Sequence, residues 1–205
     1  MINLQQDCDF SPMRDQIKTS LRNIADDIGT LLTQMDSEKH CMLSTLETIQ
    51  HHFSRIQSTA GTFYLNCYLS PYTSKFMELS TTLQNLSERK VGALIVVERN
   101  DPVEQLVRHG VSIGAALSHT LLESIFYPGN PLHDGAVLVK GDRIETASTV
   151  LPLSNSIVDK QKFGTRHRAA LGMSELSDAI VLIVSEETGS ASFAVEGHLY
   201  PVILH

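Results

Sequence analysis

The fold class that this sequence predicts is α/β (α+β): a mixed central β-sheet flanked by helices, preceded by an N-terminal α-helical hairpin. Three observations predict it. Apolar residues recur every three or four positions up to about residue 57, the spacing of amphipathic helices. Two continuous apolar runs, Gly92–Val97 and Ala179–Val184, have the length of strands buried on both faces. Shorter apolar segments are joined by tight turns, Gly141-Asp142 and Glu196-Gly197-His198, and read as hairpins.

In chain order, Ser11 reads as a helix cap with Pro12 at the first helical position. Ile17, Leu21, Ile24, Ile28, Leu31 and Met35 form one apolar stripe. The pattern restarts at Asp36 or Ser37, and Met42, Leu46, Ile49, Phe53 and Ile56 form a second. The two stripes fit a small packing domain or an oligomerisation and control element equally well. Ser58–Thr62 reads as a linker, so the domains are expected at residues 1–62 and 63–205. Phe63–Leu69 is too aromatic for a free tether. Pro71 then opens a helix with Phe76, Leu79, Leu83 and Leu86 on one face. Beyond the first strand, Val103–Leu106 suits a short helix, and Gly110 and Gly114 interrupt the segment after it. Leu117–Phe126 suits another helix, closed by Pro128-Gly129-Asn130-Pro131. Strands are expected at Ala136–Lys140, Arg143–Val150, Ala191–Val195 and Leu199–Ile203.

Composition narrows the function classes. A chain of 205 residues, 42% hydrophobic and 19% charged, has material for a real core. A net charge of −7 argues against a nucleic-acid binder, whose affinity rests on excess Lys and Arg. Cys8, Cys41 and Cys67 form no CxxC pair and read as free thiols of a reducing compartment. Residues 1–7 lack the basic start and apolar run of a signal peptide. No apolar stretch approaches the ~20 residues that span a bilayer, so a cytoplasmic protein without membrane contact is expected.

The chemistry concentrates in three places. Gly164-Thr165-Arg166-His167-Arg168-Ala169-Ala170-Leu171-Gly172 reads as a short helix with Thr165 as cap and Gly172 near its end. Arg166, His167 and Arg168 then crowd the first turn, where free N–H groups already carry partial positive charge. The arrangement suits an anion such as phosphate in front of the helix. The alternative is a solvated basic turn paired with Glu175 or Asp178. Leu132-His133-Asp134-Gly135-Ala136 precedes a strand, and Asp-Gly is ordinary turn chemistry. Beside phosphate-binding arginines, however, Asp134 would repel a ligand unless it held a divalent metal or a ribose hydroxyl. Ser185-Glu186-Glu187 ends a buried strand, where ligands of α/β sheets usually sit. Walker, GxGxxG and HExxH signatures are missing. His51-His52 lies on the N-terminal hairpin and reads as a surface feature.

As a set these segments resemble the diadenylate cyclase family, which joins two ATP molecules into cyclic di-AMP. The resemblance runs from Val91 to Val195 and rests on Gly92-Ala93-Leu94-Ile95, Leu132–Ala136, Gly164–Arg168 and Ser185–Glu187. The first and last are generic. Asp-Gly-Ala followed some thirty residues on by Arg-His-Arg is specific. Residues 1 to about 60 lie outside it, and a helical extension without membrane spans looks like the soluble form found in some spore-forming bacteria.

The resemblance implies that Asp134 holds the ribose 3′-hydroxyl, with a metal close by, and that His133 is a metal ligand. It implies backbone contacts from Gly135 and Ala136, and adenine reading by the backbone at Leu151. Thr165, Arg166, His167 and Arg168 would take the triphosphate, with Arg166 and Arg168 stabilising the leaving pyrophosphate, and Ser185 would contact phosphate. It also implies a substrate-associated Mn²⁺ or Mg²⁺ and a homo-oligomer containing at least a face-to-face dimer. The alternative is a non-catalytic ATP or cyclic di-AMP sensor, which would have no need of a carboxylate on the attacking hydroxyl.

Overall fold

The computed structural model describes residues 11–34, 42–155 and 164–203. The chain divides into two compact units, Met1–Cys67 and Tyr68–His205.

Two helices open the chain, α1 (Ser11–Gln34) and α2 (Met42–Leu69). The Ser11 side-chain cap, Met35 and the restart at Asp36 or Ser37 fall outside the described residues. Ile24 and Leu31 are buried, but Leu21, Ile28, Leu32, Met42, Leu43, Leu46 and Phe53 stay exposed, Leu43 at 69%. The expected linker is not a break, because α2 runs straight through Ser58–Thr62. Thr62 Oγ1 donates to the Ser58 carbonyl at 3.0 Å, the back-bond that lets small hydroxyl residues sit inside a helix. Cys67 is disulfide-bonded, so the free-thiol reading fails there. Wide sequence spacing says nothing about approach in space.

The second unit is built on α3 (Phe76–Glu88), β1 (Ala93–Val97), β2 (Val111–Ala116), α4 (His119–Phe126), β3 (Ala136–Lys140), β4 (Arg143–Thr149), α5 (Thr165–Leu176), β5 (Ile180–Val184), β6 (Ala191–Val195) and β7 (His198–Val202). The strands form one sheet in the order β2-β4-β3-β1-β5-β6-β7. Among the described strands only β1 and β3 run parallel; every other pair is antiparallel, so the sheet is mixed, as expected. β1 and β5 are buried along their whole length. Leu94, Val96, Val181 and Ile183 join a core with Ala169, Ala170 and Met173 of α5. The alternate residues, Ile95, Val97 and Leu182, point to the other face, where α3 packs on β5 and β6 and α4 packs on α3.

Three local expectations are corrected. Pro71 lies in a turn and α3 starts at Phe76. Asp142 holds that turn, accepting from Thr73 Oγ1 and the Ser74 N–H, both at 2.8 Å, and from Ser74 Oγ at 2.6 Å. Val103–Leu106 is a single turn and not a helix. Its first N–H is taken at 3.1 Å by the buried carboxylate of Glu98. Between Gly110 and Leu117 runs an unexpected strand, β2, a half-exposed edge whose register shifts between Ser112 and Ala115, where Gly114 adopts φ +60°. Ser118 caps α4 by accepting the Leu121 N–H.

Candidate active site

The strand directions bring the motifs together. β1 and β3 are parallel neighbours, so their starts, at Gly92 and at Asp134-Gly135, lie at the same end of the sheet. β5 is antiparallel to β1, so its exit into Ser185-Glu186 lies there too. The first turn of α5 completes a cleft of about 1040 Å³. Asp134, Gly135, Leu151, Thr165, Arg166, His167 and Ser185 line it, with Leu94, Thr149, Val150, Leu153, Glu186, Glu187 and Ser190.

Gly135 could carry no side chain. Its φ is +109°, and a Cβ would stand 2.8–2.9 Å from the backbone of Ser148 and Thr149. That close approach brings the Asp134 carbonyl to Ser148 Oγ, which donates to it at 2.8 Å. The Asp134 carboxylate is exposed on the cleft.

α5 differs from expectation at both ends. Its cap is Gly164, with no side-chain bond, and Thr165 is already helical. No acidic residue lies in the first turn, so neither a side-chain cap nor a carboxylate on the helix itself offsets the positive end. Gly172 does not stop the helix, which continues to Leu176. A Cβ at Gly172 would lie 2.4 Å from the Pro152 carbonyl oxygen and 2.5 Å from Ser154 N. The glycine therefore serves close packing of α5 on residues 152–154, beside Leu151 in the cleft wall.

Arg166 pairs with neither Glu175 nor Asp178. Those carboxylates take Ser154 Oγ and the Asn100 side chain. Its Nη1 donates instead to Glu186 Oε2 at 2.7 Å. That hydrogen bond, reinforced by the Arg166 charge and more weakly by His133, holds the Glu186 carboxyl below its ordinary pKa. Burial pushes the His167 pKa down, against a smaller opposing pull from Glu187, and favours the neutral ring.

Three expected residues lie off the cleft lining. Ala136 is fully buried in β3. Arg168 is exposed and its Nη2 donates to the Ser154 carbonyl at 3.3 Å. His133 Nδ1 lies 2.6 Å from the Asn130 carbonyl oxygen. A carbonyl only accepts, so the Nδ1–H donates to it, and Nε2 is the nitrogen through which this ring could ligate. Glu186 was legible as part of a motif, but its pairing with Arg166 needed the fold.

Residues 80–199 match the family described as DisA bacterial checkpoint controller nucleotide-binding. Residues 4–72 match that described as diadenylate cyclase CdaS, N-terminal. The chain belongs to the diadenylate cyclase family. It is 48% identical over 192 residues to diadenylate cyclase CdaS of Bacillus thuringiensis (strain BMB171), covering 94% of this chain and 96% of the relative. It is 48% identical over 190 residues to cyclic di-AMP synthase CdaS of Bacillus subtilis (strain 168), covering 93% and 91%. A solved structure from Bacillus cereus, described as a hypothetical membrane spanning protein, superposes with a TM-score of 0.80 at 47% identity over 95% of each chain. Among the described residues of this diadenylate cyclase family member, no helix is long and apolar enough to cross a membrane.

Proposed function

We propose that the chain condenses two ATP molecules into cyclic di-AMP and two pyrophosphates, with the sheet-end cleft as half of the active site. Family membership and relatives named diadenylate cyclase and cyclic di-AMP synthase support this activity. The observation that carries the site assignment is the convergence of Asp134-Gly135, the basic start of α5 and Ser185 on one cleft.

In this reading the apolar wall of Leu94, Val150, Leu151 and Leu153 takes the adenine, with the Leu151 backbone reading its edge. Gly135 and Ala136 meet the nucleotide through their main chain. Arg166 exchanges Glu186 for the triphosphate, joined by Thr165, His167, Ser185 and, on leaving the Ser154 carbonyl, Arg168. Asp134 orients the ribose 3′-hydroxyl and accepts its proton. The 3′-oxygen attacks the α-phosphorus of the other ATP, the α–β phosphoanhydride breaks, and pyrophosphate leaves against the guanidinium charges. One domain holding one ATP cannot close the ring. Two copies therefore face each other about a two-fold axis, and the reaction occurs twice. The N-terminal region, residues 1–62, acts as an oligomerisation and control element, supported by the exposed apolar residues of α1 and α2.

Diadenylate cyclases in general depend on a divalent metal. Among the described residues no group of three His, Cys, Asp or Glu could hold one alone. The donors present nevertheless fit a substrate-borne ion. His133 has its Nδ1 proton committed to a backbone carbonyl, the bond that usually orients a metal-ligating histidine, and Asp134 adds a carboxylate. Mn²⁺ or Mg²⁺ held there with phosphate oxygens would neutralise charge on the triphosphate. Titration with a non-hydrolysable ATP analogue tests the assignment. Arg166→Ala should weaken binding about tenfold or more, the scale of a charged hydrogen bond. Arg166→Lys should recover only part, having lost the bidentate fork. Parental affinity in the Ala variant would remove Arg166 from the site.

A further inference from the structure

Gly92 precedes β1, and its backbone does not call for glycine, because its φ lies outside the left-handed region. The space above its α-carbon does. A Cβ there would stand 2.4 Å from Arg166 Nη1 and 2.7 Å from Arg166 Cζ, with Glu186 Cβ at 3.0 Å. The guanidinium thus lies against bare main chain at the mouth of β1, while Glu186 grips it at 2.7 Å. Gly135 and Gly172 differ in kind, since a Cβ at either would strike backbone. At Gly92 the main obstacle is the far end of a long side chain, which can swing away at little cost to the fold.

We propose that Gly92 is a positioning residue for the cyclase reaction: its bare α-carbon is the seat that holds the Arg166 guanidinium where the triphosphate arrives. The inference rests on reading Arg166 as a phosphate ligand. Glu186 supplies the electrostatic hold before substrate binds, and Gly92 supplies the room. A single methyl group makes the seat unavailable, and besides the guanidinium it asks only Glu186 Cβ, 3.0 Å away, to give slightly.

The test is a double-mutant cycle in the full-length chain, with Gly92→Ala, Arg166→Ala and the double variant assayed for thermal unfolding, ATP KM and kcat. Gly92→Ala should keep the parental Tm. Its KM for ATP should rise by roughly fivefold to tenfold, part of the loss expected for a displaced charged hydrogen bond. In the Arg166→Ala background the same substitution should change KM by less than about twofold, because the group it displaces is gone. A parental KM in Gly92→Ala beside a defective Arg166→Ala overturns the seat while sparing the phosphate reading. So does an equal loss in both backgrounds, or a Gly92→Ala chain that no longer folds, since either makes Gly92 structural. Parental KM in Arg166→Ala alone overturns the phosphate reading, and the seat with it.

Discussion

His167 stands between two positive neighbours, and burial holds its own ring toward neutrality. Its pKa in the fold lies below the ordinary 6.5, so on acidification the unfolded chain takes up the proton first. The stability it contributes is complete above about pH 6.5 and declines as pH falls toward the lower folded value. Thermal melts from pH 7.5 downward should show that decline, and His167→Gln should flatten it. Parallel curves for the two chains would mean that the ring is not desolvated. At this scale the sequence was informative about kinds of residue and silent about partners. Asp134, Arg166, His167 and Ser185 were singled out from their motifs, and the fold brings all four to one cleft. Gly164 capping α5 and Glu186 answering Arg166 depend on backbone angles and strand directions that no local pattern encodes.

Among the elements, α5 carries the most consequence because it presents the basic turn and presses on the cleft wall. Gly172→Ala would drive a methyl group into the 152–154 backbone and should cost about 1–3 kcal/mol or more. A lowered Tm with weakened ATP-analogue binding is the expected result, and an unchanged melt would show that α5 can shift freely. At the opposite end of the sheet Lys140 reaches the buried Glu98 carboxylate at 2.7 Å. The hydrogen bond to Glu98, then its charge, raises the Lys140 pKa above 10.5. Its contribution is therefore complete below 10.5 and lost as pH rises through the folded value. Lys140→Met should lower Tm at pH 7 by leaving the Glu98 carboxylate with the Val103 N–H but without its cation, with the deficit shrinking above about pH 10.5. Equal melts at pH 7 would show that Glu98 needs no cation. The buried strands β1, β3 and β5 were legible because continuous apolar runs have few other uses. The edge strand β2 was not, since four of its six residues are exposed and its register shifts around Gly114. Small polar residues at 58–62 imitated a linker because composition cannot show that a threonine hydroxyl bonds back along its own helix.

For the molecule as a whole, the proposed face-to-face pairing of two ATP-loaded domains would make assembly part of the chemistry. Leu43 and Phe53 on α2, 69% and 50% exposed, are apolar surface that a lone chain leaves in water. Replacing both with Glu in the full-length chain should reduce the mass per particle in light scattering and change specific activity. If mass and rate both persist, the N-terminal helices do not set the assembly. The central claim is that the cleft makes cyclic di-AMP through Asp134, and mass spectrometry of the product tests it most directly. Full-length protein incubated with ATP and Mn²⁺ or Mg²⁺ should yield cyclic di-AMP and pyrophosphate. Asp134→Asn should keep ATP-analogue affinity within several-fold of the parent and lose at least ~10² in turnover, the range of general-base catalysis. Near-parental cyclic di-AMP production by Asp134→Asn would contradict the mechanism at its centre.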